Sequence, residues 1–109
     1  MNNKPAVVRV NVFSGRRNPE WTMDIKDIKK FLHLWDLAEP IIEIIKPISK
    51  LGYSGCTVII DNNRWEIYNG FATFYSPDST ISKKDNGNSI ERSLLKDAPE
   101  EIMRLVKFR

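Results

Sequence analysis

The side chains best placed to do chemistry gather in Phe13-Ser14-Gly15-Arg16-Arg17-Asn18-Pro19-Glu20-Trp21. A glycine-containing loop that follows a strand can aim backbone N–H groups and arginines at an anion. The stretch lacks both a GxxxxGK phosphate loop and a GxGxxG fingerprint, so the anion signal is weak. Backbone-shaping residues dominate it. Asn18-Pro19 initiates a turn, Ser14 and Gly15 break the strand, and Trp21 plugs the core. On a mixed reading Gly15, Pro19 and Trp21 fix the loop, while Arg16 or Arg17 projects toward a partner. Tyr53, in Leu51-Gly52-Tyr53-Ser54-Gly55, is the third candidate contact.

The remaining chemical inventory is thin. His33 is the single histidine, and Leu37 stands four residues on, where a second helical metal ligand would be. Metal binding is not expected. Cys56 is the single cysteine, which excludes an intrachain disulfide and a cysteine zinc cluster. It precedes Thr-Val-Ile-Ile and reads as a small buried residue. Asp36, Glu39 and Glu43 could share a helix face, but such charge is usually solvated. No acid, base and nucleophile set is present, so no enzyme activity and no cofactor are expected.

Tyr53, Tyr68, Phe71, Phe74 and Tyr75 raise the question of base stacking, because RNA-binding sheets display aromatics on an open face. Asn69-Gly70-Phe71-Ala72-Thr73-Phe74 only partly echoes an RNA-recognition motif. Aromatic residues are enriched in strands in any case.

These side chains must be held by a chain of 109 residues, enough for one domain over 1–109. Charged residues make up 28% and hydrophobic residues 41%, which fits a globular domain and argues against disorder. The net charge is +3, spread along the chain with interleaved acids, unlike the basic stripe of a nucleic-acid binder. A leaning toward Ile, Lys and Asn accompanies AT-rich, mostly bacterial genomes. No apolar run would span a membrane and no signal peptide is recognisable, so a cytoplasmic location is expected.

Val7 to Phe13 alternates, with Val8, Val10 and Val12 on one side, and reads as a half-buried strand. Glu20 to Met23 reads as extended. Asp24 is the expected N-cap of a helix whose stripe runs Ile25, Ile28, Phe31 or Leu32, Trp35 and Ala38. Pro40 suits the start of a second short helix ending before Pro47. Cys56–Ile60 reads as a strand and Asp61-Asn62-Asn63 as a hairpin turn. Arg64 to Tyr75 reads as one long strand with a bulge or bend at Gly70. Residues 76–88 read as a polar mobile segment. Ser89 is the expected cap of a last helix with Ile90, Leu94, Leu95 and Ala98 inward, and Pro99-Glu100-Glu101 restarts a turn. The expected fold is α+β: an antiparallel sheet of three or more strands with two to three helices packed on one face.

The run F-S-G-R-x-N-P-x-W resembles the opening of a group of small uncharacterised, mostly bacterial proteins. Their later L-G-Y-x-G is similar to Leu51-Gly52-Tyr53-Ser54-Gly55. Their terminal helix pattern is similar to Ile90-Glu91-Arg92-Ser93-Leu94-Leu95. This chain departs at Arg17, where the group usually has proline. The resemblance implies a shared fold and carries no activity. The reading is therefore a non-enzymatic cytoplasmic protein-binding module, in its sharper form an immunity protein that neutralises a bacterial toxin domain. Its partner is a protein, such as a cognate toxin, met through Arg16, Arg17 and Tyr53. Two alternatives stand beside it. One is a small nucleic-acid binder using Arg16, Arg17, Lys83, Lys84 and the strand aromatics. The other is a small-ligand binder or enzyme using the Ser14–Trp21 loop.

Overall fold

The structure is a computed structural model, and it describes residues 6–11, 19–41, 55–68, 70–96 and 98–100. Seven strands form one antiparallel sheet: β1 Ala6–Val10, β2 Glu20–Met23, β3 Glu39–Ile41, β4 Cys56–Ile60, β5 Asn63–Tyr68, β6 Phe71–Tyr75 and β7 Thr80–Lys84. Their order across the sheet is β2-β1-β4-β5-β6-β7-β3. Helices α1 Ile25–Leu37 and α2 Ser89–Lys96 complete the α+β fold. Neither is long and apolar enough to cross a membrane.

Register explains which face the helices cover. Val8 lies opposite Val58, Val58 opposite Trp65, and Trp65 opposite Phe74. Val10, Cys56, Ile67 and Ala72 form the next row on the same face. Phe31 and Trp35 of α1 and Ile90 and Leu94 of α2 pack on these two rows in a single core. Alternation in the sequence thus turns one face of β1, β4, β5 and β6 into this core. At the centre Trp65 meets Phe31 nearly edge-on, with ring centroids 5.1 Å apart, and Phe74 at 4.8 Å.

The expected N-cap holds: Asp24 Oδ1 accepts from the Asp27 N–H at 2.9 Å. Ile25 does not join the inward stripe. It is 71% exposed at the first helical position, ahead of the turn that meets the sheet. Cys56–Ile60 also holds, and the turn expected over Asp61-Asn62-Asn63 is Asp61-Asn62 alone, since Asn63 opens β5 opposite Ile60; Asp61 has φ +55, as a tight hairpin requires.

Four expectations are corrected. Arg64 to Tyr75 is two strands, because the chain reverses between Tyr68 and Phe71, which pair with each other. Gly70 has φ +88, a conformation glycine adopts freely. Asn-Gly between alternating strands is a strong hairpin signal, and the strands on either side of it pair antiparallel. Residues 76–88 are not a mobile segment: Thr80–Lys84 pairs with β6 along its length, after a turn in which Ser76 Oγ accepts from the Ser79 N–H. The helix expected from Pro40 is instead strand β3 at Glu39–Ile41, paired with β7. A residue before proline is driven out of the α region, which extends Glu39, and proline is tolerated on an edge strand. Residues 42–50 lie outside the described residues.

The fourth correction concerns the cap of α2. Ser89 is its first residue, and Asp85 supplies the acceptors. Asp85 Oδ1 accepts from the Ile90 N–H at 2.8 Å and Oδ2 from the Glu91 N–H at 3.1 Å. Ser89 Oγ donates to Oδ1 at 3.3 Å. A short 3-10 segment, Asn86–Asn88, lets the chain turn between Asp85 and the helix.

Candidate protein-binding face

Because side chains alternate across a pleated sheet, the residues between those of the core line the opposite face. No described helix packs there. Register aligns Glu20, Arg9, Thr57, Glu66, Thr73 and Ser82 in one row across six strands. A second row runs Thr22, Val7, Ile59, Arg64, Tyr75 and Thr80. Tyr68 and Phe71 stand paired on the same face.

The first row is wired internally. Asn11 Nδ2 donates to Thr57 Oγ1 at 3.0 Å, and Thr57 Oγ1 donates to Glu66 Oε1 at 2.8 Å. The other Glu66 oxygen, Oε2, lies 3.2 Å from Arg64 Nε. Thr57 is only 2% exposed, so its hydroxyl needs both partners. Arg9 Nε pairs with Glu20 Oε2 at 3.4 Å. The hydroxyls of Thr73 and Ser82, both buried, bond each other at 3.0 Å. Arg64 also lies over the Tyr75 ring, with its Cζ 4.5 Å from the centroid. The face is therefore charge-balanced, with each arginine set against a glutamate on the same surface.

Of the predicted site residues, Ser14, Gly15, Arg16, Arg17, Asn18 and Tyr53 lie outside the described residues. The Pro19 carbonyl accepts the Val10 N–H at 2.9 Å, and Trp21 sits opposite Val8, half-buried against the core. The Asn11 N–H donates to the Gly55 carbonyl at 2.9 Å. Asn11, Pro19 and Gly55 thus meet at one end of β1.

The predicted base-stacking set is split. Tyr68, Phe71, Tyr75 and Lys84 share the face opposite the core. Phe74 points the other way, 6.1 Å from Trp35 between ring centroids. Lys83 joins it there: its Nζ donates to the Trp35 carbonyl at 2.9 Å and lies 4.4 Å over the Trp35 ring. Lys83 thus closes the end of α1, where a cation suits the helix dipole. Sequence reasoning missed Asn11, Thr57, Arg64 and Glu66. Each is one polar member of an alternating strand, and only register makes them a cluster.

Other sites are poor. Among the described residues no group of His, Cys, Asp and Glu could hold a metal ion. His33 is exposed and Cys56 is buried. A cleft of about 140 Å³ opens between the end of α1 and the start of α2. Its buried acid, Asp85, is engaged by the amides of α2. Compared with protein-family models, with curated proteins and with solved structures, the chain has no match in any of the three.

Proposed function

We propose that this chain is a non-enzymatic protein-binding module that meets its partner with the sheet face on which no described helix packs. The observation that carries this is the pairing of charges there: Arg9 with Glu20 and Arg64 with Glu66, beside Tyr68, Phe71 and Tyr75. Tyrosine and arginine are the usual anchors of protein interfaces. A nucleic-acid track would instead present unopposed cations to successive phosphates. An immunity protein that masks a toxin is one module of this kind, and the identity of the partner decides that sharper form.

The test is capture from a native lysate by the tagged full chain, with and without nuclease, compared with Thr80→Trp. Thr80 is exposed and stands opposite Tyr75 on this face, so the indole obstructs docking without altering charge. The expected result is one stoichiometric protein that survives nuclease and is lost in Thr80→Trp. Recovery that is heterogeneous and nuclease-sensitive would sink the reading.

A further inference from the structure

We infer that Arg64 and Tyr75 form a preformed fork for a carboxylate, and that the partner presents an acidic side chain to it. This rests on the protein-binding reading and names the chemistry of the contact. Arg64 is held on two sides. The Tyr75 ring lies beneath its guanidinium at 4.5 Å, and Glu66 Oε2 sits 3.2 Å from its Nε. Glu66 is itself fixed, because the Thr57 hydroxyl donates to Oε1 and Asn11 donates to Thr57. Among the described residues, Glu66 and Tyr75 are the partners of Arg64, whose side chain remains 51% exposed.

Guanidinium carries five N–H donors and no acceptor, so whatever completes it must bring an acceptor. Its rigid fork matches a carboxylate with two parallel hydrogen bonds. A guanidinium already ordered by ring and carboxylate loses little further freedom on binding. The chain's +3 charge also draws an acidic partner faster than a basic one. Glu66 and Glu20 select within the anions. They stand on the same face and oppose phosphates fixed along a nucleic-acid backbone, while a carboxylate on a flexible side chain can approach the outer edge of Arg64.

The probe is hexaglutamate peptide titrated into the full chain, followed by the Arg64 Nε–H resonance, with hexalysine and oligouridine as comparisons. Hexaglutamate should shift that resonance saturably and less at high salt. Arg64→Gln should weaken the peptide by about tenfold, the loss expected for one charge-assisted pair. Arg64→Lys, which keeps the charge without the fork, should recover only part of it. Unchanged affinity in Arg64→Gln, no shift with hexaglutamate, or equally tight oligouridine would overturn the inference. The captured partner separates the two failures. Loss in Thr80→Trp with full retention in Arg64→Gln overturns the acidic contact and leaves the face; retention in both overturns the face as well.

Discussion

The backbone N–H of Asp85 donates to the carbonyl of Gly70 at 2.8 Å, joining the β5–β6 turn to the entry of α2. The same residue caps that helix with both carboxylate oxygens while only 2% exposed. One side chain therefore positions α2 over the sheet.

Asp85→Ala should accordingly cost about 2–3 kcal/mol, since it removes a cap and leaves buried amides unpaired. Asp85→Asn keeps one acceptor and turns an amide donor toward the Glu91 N–H or the Ile90 N–H, so about 1 kcal/mol is expected. Ser89→Ala should change stability by less than about 0.5 kcal/mol, because Ser89 lends only one long hydrogen bond to Asp85. Urea unfolding of the three variants checks the order. A Ser89→Ala as costly as Asp85→Ala would return the cap to Ser89.

Trp65 is buried among Phe31, Trp35 and Phe74, and its Nε1 has no hydrogen-bond partner. A buried unpaired donor costs free energy that the ring's packing must exceed. Trp65→Phe removes that donor along with some volume, so the two effects oppose. It should destabilise by less than about 1.5 kcal/mol, against about 3–5 kcal/mol for Trp65→Ala. Thermal unfolding measures both, and a loss in Trp65→Phe as large as in Trp65→Ala would overturn the expectation.

On the other face, Thr73 and Ser82 satisfy each other, and removing one strands its partner. Thr73→Val or Ser82→Ala should each cost about 1–3 kcal/mol, while the double variant should cost less than the two summed. A double-mutant cycle by urea unfolding gives the coupling. Strict additivity would show that the pair is not formed in solution.

These hydroxyls also show where the sequence stops being legible. β1, α1, β4 and α2 carry apolar periods of two or 3.6 residues, and those were readable. β7 reads Thr-Ile-Ser-Lys-Lys: its buried position is a serine facing Thr73, and Lys83 of its core-side face reaches the end of α1 instead of filling the core. No hydrophobic alternation survives to mark it. β3 is three residues on the sheet edge and exists because β7 is there to pair with it. The polar row suffers the same limit more strongly. Arg9 is distant in the chain from Thr57, Glu66 and Thr73, and each is the ordinary polar half of a strand pattern. Pairing register turns them into neighbours, and a single sequence does not state register.

That row makes the final prediction specific. Glu20 and Glu66 each oppose an arginine, so they keep the face from attracting phosphates while a protein partner is recognised. Glu66→Gln retains an acceptor for Thr57 but leaves Arg64 unopposed, and Glu20→Gln does the same for Arg9. The double variant should bind oligouridine measurably more tightly than the parent, and the gain should vanish steeply as salt rises, as counterion release requires. Fluorescence anisotropy over a salt series reads both quantities. If the double variant binds no better than the parent, the acids are not what withholds this surface from nucleic acid, and the charge-balance argument for a protein partner fails with them.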